Sequence, residues 1–91
     1  MANMITVDGT ITEVKTSLED LQKAVEGYIE IVDLPKGDLT TNKKLIMVLN
    51  EEGKINQLPV NLIATQIWIK NYGRTDVIVG NVVICKRSDI K

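Results

Sequence analysis

Read for its apolar and polar positions alone, the chain opens with a run built for a hairpin. Ile5-Thr6-Val7-Asp8-Gly9-Thr10-Ile11-Thr12 sets an Asp-Gly pair between β-branched residues. That pattern predicts a two-residue type I′ turn with strands near 4–7 and 10–15. Apolar spacing then changes from two to nearly four. Leu18, Leu21, Ala24 and Val25 recur at helical intervals behind Ser17, which stands three residues before Asp20 in a near capping box, and Gly27 is placed to stop the helix. Tyr28 to Asp33 favours strand, and Pro35-Lys36-Gly37-Asp38 reads as a turn. Lys44 to Asn50 carries the unbroken apolar run Leu45-Ile46-Met47-Val48-Leu49, the mark of a strand buried on both faces near the middle of a sheet, with helices covering it.

The stretch from Asn50 to Thr65 organises the rest. Asn50 can open a turn over Glu51 and Glu52, Gly53 then suits the left-handed position of a G1 bulge, and Lys54-Ile55 would begin a returning strand. Pro59 stiffens the chain. Asn61 is a good cap type for a second helix over about 61–71, with Leu62, Ile63, Ile67 and Trp68 on its apolar face and Tyr72-Gly73 at its end. Val77 to Ile84 reads either as a hairpin at Gly80-Asn81 or as one extended segment with a glycine bulge. The bulged segment is preferred, because arms of three residues pair poorly. The expected order is β-β-α-β-β-β-α-β, a single α+β domain over 1–91 with a mostly antiparallel sheet and two helices.

Composition narrows the function classes. Eleven Lys and Arg against twelve Asp and Glu give a net charge of −1, which fits neither a duplex-binding surface nor an acidic DNA mimic. No double-stranded nucleic acid is expected as a partner. With three aromatic residues (Tyr28, Trp68, Tyr72) and no Phe, the core must be mostly Ile, Val and Leu. Ninety-one residues bury a thin core, so self-association would help. The first residues carry no charged segment leading into an apolar one, and no apolar run approaches a bilayer span, so the reading is cytoplasmic, with no membrane partner.

Catalytic chemistry has little to work with. Histidine is absent and Cys85 is the lone cysteine, which removes the usual general base, thiol–imidazole pairs, disulfides and cysteine-based metal sites. Glu51 and Glu52 on a turn tip would diverge into solvent, and Asp33 and Asp38 around Gly37 do not match a calcium loop. The expectation is therefore no enzyme, no catalytic residue, no metal and no cofactor. Binding is better supplied. The second half is rich in amides and hydroxyls that donate and accept at once, including Asn50, Asn56, Gln57, Asn61, Thr65, Gln66, Asn71 and Asn81. Trp68 and Tyr72, four apart on the second helix, can form a stacking wall, and Lys54 or Arg74 can meet a phosphate. The expected ligand-binding residues are Asn50, Glu52, Lys54, Asn61, Thr65, Trp68, Tyr72 and Arg74. Against this stand the plainer roles: Asn50 as a turn residue, Asn61 as a cap, and Trp68 as core or subunit interface.

The patterns Asn50-Glu51-Glu52-Gly53-Lys54, Leu58-Pro59-x-Asn61-x-x-Ala64-Thr65 and Ile78-Val79-Gly80-x-Val82-x-Ile84, with Gln22, Val25, Gly27 and Ile29-Glu30 upstream, resemble a family of short proteins from phages and related mobile elements. That family is catalogued as a domain of unknown function, and its members often carry Asp where Asn81 stands. The resemblance implies a genetic setting in which small oligomeric proteins inhibit host defence. One class of these sequesters nucleotide immune signals, cyclic dinucleotides or ADP-ribose derivatives, where subunits meet. This chain is similar to that class in size, charge balance and polar second half. The expectation is a homo-oligomer in the host cytoplasm that holds such a signal, or else an adaptor that blocks a host protein.

Overall fold

The computed structural model describes residues 2–90. Five strands, β1 (Ala2–Ile5), β2 (Ile11–Val14), β3 (Ile29–Leu34), β4 (Leu45–Asn50) and β5 (Val82–Cys85), form one sheet in the order β2-β1-β5-β4-β3, antiparallel at every pairing. Helices α1 (Leu18–Val25) and α2 (Leu62–Tyr72) lie between them in sequence, and a single 3-10 turn, Arg87–Asp89, follows β5. The architecture is the α+β sheet with two helices that the apolar pattern implies.

Strand alternation explains how the sheet is covered. Met47 of β4 and Val82 and Ile84 of β5 face α2, whose Ala64 and Ile67 share a core with Ile5, Leu34 and Ile78. Ile46 and Val48 of β4 and Val83 and Cys85 of β5 face the other way, against Leu21 and Val25 of α1. The last strand of the chain is thus the middle strand of the sheet, with all four of its residues buried. Each such aliphatic side chain contributes about 1.5–3 kcal/mol by leaving water. No helix is long and apolar enough to cross a membrane among the described residues.

Three local expectations are corrected. The returning strand at Lys54-Ile55 is absent: residues 51–57 form consecutive turns, in which Asn56 N–H donates to Glu52 O (2.9 Å), Gln57 N–H to Lys54 O (3.1 Å) and Leu58 N–H to Gly53 O (3.0 Å). This is one helical turn closed by a Schellman motif, with Gln57 rather than Gly53 left-handed (φ 56°). It wins because the Asn50 side chain accepts from Glu52 N–H (2.7 Å), which curls the chain before a ladder can form. The Asp8-Gly9 turn is longer than two residues. Gly9 alone is left-handed (φ 90°), its N–H donates to Thr6 O, and Thr6 N–H donates to Thr10 O, giving a glycine-bulge loop in which the Asp8 carboxylate also accepts from Thr10 N–H. At the end of α1 the left-handed residue is Glu26 (φ 65°), while Gly27 donates its N–H back to Gln22 O. The extended reading of 77–84 is met only in its last part: β5 begins at Val82, while Gly80 turns the chain with φ 77° and Val79 makes an isolated bridge with Val60.

Candidate binding site

Three buried asparagines build the frame on which any site must stand. Asn50, at the end of β4, donates its amide to Val25 O (3.0 Å) and Glu26 O (3.3 Å), capping the C-terminus of α1 from another part of the chain. It reaches there because Gly27 has no Cβ; one would sit 2.7 Å from the Asn50 amide nitrogen. Asn61 is the N-cap of α2, accepting from Ala64 N–H (3.0 Å), and its amide donates to Ile5 O (3.0 Å) and Gly80 O (2.9 Å). One side chain thereby joins the start of α2, the end of β1 and the approach to β5. Asn71 accepts from Lys36 N–H and donates to Gly37 O and Ile67 O, fastening the 35–37 turn to the end of α2. Each amide uses its oxygen and both its N–H groups.

The three sequence patterns around Asn50, Leu58 and Ile78 converge on this frame. Asn61 N–H donates to Ile78 O (2.8 Å) and Gly80 N–H to Pro59 O (2.7 Å). A Cβ on Gly53 would meet Val79 at 3.0 Å, and one on Gly80 would meet Leu58 at 2.7 Å. Thr65 belongs to the same knot: its hydroxyl donates to Asn61 O and accepts from Ile78 N–H (both 2.9 Å). Asn50 and Asn61 are therefore first of all scaffold, the plainer of the roles that the sequence left open, and Thr65 joins them.

The remaining expected residues are distributed over the surface. Lys54 pairs with Asp76, and this pair separates two depressions. On one side is a cleft of about 160 Å³ whose lining includes Glu30, Asn50, Glu52, Gly53 and Ile55; on the other is a groove of about 560 Å³ lined by Thr65, Gln66, Ile69, Arg74 and Thr75. Lys54, Asp76 and Val77 border both. Arg74 is exposed and makes no hydrogen bond or ion pair among the described residues. The structure thus brings Lys54, Thr65 and Arg74 to one groove and adds Gln66, Thr75 and Asp76. Of these Asp76 carries no sequence signal, because only the folding of the 74–79 loop against the 51–57 turns sets it beside Lys54.

Trp68 and Tyr72 do meet, with ring centroids 4.5 Å apart and planes tilted by 40°. They do not form a wall in that groove. The Trp68 ring packs half-buried on the α2 core while its indole N–H donates to the Thr75 hydroxyl (2.9 Å), and Tyr72 turns away, its hydroxyl donating to Asp33 O. Tyr72 instead borders a separate depression of about 550 Å³ with Asp33, Lys44 and Arg87.

Electrostatics follow these contacts. The hydrogen bond from Lys54 holds the Asp76 carboxyl below the usual carboxylate range, with Val77 N–H adding to it. Burial pushes the Cys85 thiol up to about 11, so at neutral pH it is an uncharged core group, without the thiolate a nucleophile needs. Asp33 pairs with Arg87 (2.5 Å), and the Asp38 carboxylate accepts from Thr40 N–H and Thr41 N–H, ordering its own loop. Among the described residues no group of three or more Cys, Asp or Glu is placed to hold a metal ion.

The chain belongs to the family described as domain of unknown function DUF3846. The family match runs over residues 2–91 and so takes in the sheet, both helices and the knot around Asn61. No curated protein and no solved structure matches the chain. In this DUF3846 chain the patterned glycines and asparagines have packing roles, while the groove beside them is lined by residues outside the quoted patterns, Gln66, Arg74 and Thr75, together with Lys54 and Thr65.

Proposed function

We propose that this protein is a non-enzymatic, homo-oligomeric binding protein of phage type that sequesters a nucleotide-derived host immune signal, a cyclic nucleotide or an ADP-ribose derivative, and so counteracts host defence in the host cytoplasm. The observation that carries this reading is the groove where Arg74, unpaired, and Lys54, tied only to an exposed carboxylate, flank the side chains of Thr65, Gln66 and Thr75. Two cations suit phosphate oxygens, and neighbouring amide and hydroxyl groups suit a ribose or a base edge. The lack of histidine and the protonated Cys85 favour holding a ligand over cleaving it. The groove is open, so a second copy of the chain is needed to enclose a ligand. The test is calorimetry with purified protein against cyclic dinucleotides and cyclic ADP-ribose isomers, followed by heating to recover intact ligand. Binding that Arg74→Ala weakens about tenfold or more is the expected result; no heat flow with any of them, or a cleaved product, ends the reading.

A second reading, an adaptor that blocks a host protein, is favoured by Ile55 and Val77, which stand 77% and 46% exposed at the rim of the smaller cleft. Pull-down from host lysate separates the two: a stoichiometric protein partner lost in Ile55→Asp supports the adaptor, and a ligand-shifted melting temperature without a partner supports sequestration.

A further inference from the structure

The two edges of the sheet are not equally protected. β2 is four residues long and carries Glu13 among its outward positions. β3 is six residues long and bears exposed apolar surface, with Tyr28 just before it 67% exposed and Ile31 38% exposed. Its phase is set by Glu51 N–H donating to Tyr28 O (2.9 Å): residues 28, 30 and 32 turn their main-chain groups toward β4, so those of Ile29, Ile31 and Asp33 point outward. Of these, Asp33 O is met by the Tyr72 hydroxyl, and no hydrogen bond from outside the sheet reaches the main chain of Ile29 or Ile31 among the described residues. A long apolar edge with outward donors and acceptors is a template for another strand.

We infer that two copies of this chain pair through β3, antiparallel about a two-fold axis at Ile31. That register sets Ile31 against the partner's Ile31, Glu30 against the partner's Val32, and Ile29 against the partner's Asp33. No like charges face each other, and the Asp33 carboxylate is already neutralised by Arg87. Asp33 O keeps Tyr72 and still has a second lone pair for the partner's Ile29 N–H. Shifting the axis to Glu30 would oppose two glutamates, and pairing β2 about Glu13 would do the same, so charge disfavours both of those arrangements. Glu30 also lines the 160 Å³ cleft, so pairing adds the partner's Val32 to its rim. This interface shares with the proposed function only the premise that copies associate.

Sedimentation without ligand tests it independently of any binding assay. Wild-type protein is expected at twice the 10.1 kDa of one chain, and Ile31→Lys at that mass itself, with unchanged circular dichroism and a melting temperature that no longer rises with protein concentration. Ile31→Cys is expected to yield a covalent dimer on oxidation, since paired residues across the axis lie about 5.5 Å apart at Cα, within disulfide range, while Glu30→Cys is not. A wild-type monomer at the highest attainable concentration, a dimer that survives Ile31→Lys, or equal cross-linking at both positions overturns the interface. A dimer that binds no nucleotide keeps the interface and ends the sequestration reading.

Discussion

The knot around Asn61 and the rim around Arg74 lie beyond the two ends of α2, and the sequence dresses both in polar side chains. Asn61 is 1% exposed and spends its whole hydrogen-bonding capacity on Ala64, Ile5 and Gly80. Arg74 is exposed and spends none. The difference teaches that polarity in this chain serves two ends. Where three backbone segments cross, a buried carbonyl needs a donor more than the core needs another methyl group. Where the 74–79 loop meets solvent, a cation is left free for something outside the chain.

Substitutions should separate the two regions by size of effect. Asn61→Ala removes the α2 cap and takes one donor each from the buried Gly80 O and Ile5 O, the latter keeping its ladder neighbour Val82, and the expected loss is about 2–3 kcal/mol in urea unfolding; a loss below about 1 kcal/mol would place Asn61 with the rim. Asn50→Ala strips Val25 O and Glu26 O of their donor and frees Glu52 N–H at a partly open position, so about 2 kcal/mol is expected by the same measurement, with the α1 amides the first to lose hydrogen-exchange protection.

The rim should answer weakly. Asp76→Asn breaks the exposed pair with Lys54, for which about 0.5 kcal/mol or less is expected after solvent screening. The sign with pH is fixed by the direction of the shift. Because the folded carboxyl titrates below its ordinary value of 3.8, its contribution is present above that value and is lost as pH falls through the lower folded value. Acid unfolding of Asp76→Asn should lack that component, whereas Asn61→Ala should lower stability equally at every pH. Arg74→Ala should leave the unfolding free energy in urea unchanged within about 0.5 kcal/mol while weakening any nucleotide binding about tenfold or more, read by calorimetry. A large stability loss there would mean that the rim is frame after all.

Much of the fold was legible because its signals are local. The two-faced apolar run in β4, the Ser17 and Asn61 caps and the α1 stripe each follow from periodicity or from one side chain bonding a backbone amide a few residues on. The errors fall where one local preference overrode another, or where a distant contact did. Glu51-Glu52-Gly53-Lys54 has a good hairpin composition, yet its place between the Asn50 side chain and Val79 curls it into a helical turn. The site suffered in the same way: Asn50, Asn61 and Thr65 have the right chemistry for a ligand and are occupied by the chain itself, and Tyr72 leaves the groove for Asp33 O.

The order of amino acids by itself determined five strands and the two helices, both helix starts, the absence of imidazole chemistry and a core of aliphatic side chains, because each depends on neighbours within about one turn or one strand. Only the tertiary structure decided that the final strand lies at the centre of the sheet, that three asparagines are fasteners, and that Lys54 and Arg74 share a groove. Those facts depend on which backbone groups and side chains meet across tens of residues, where a donor goes to the most deeply buried acceptor within reach.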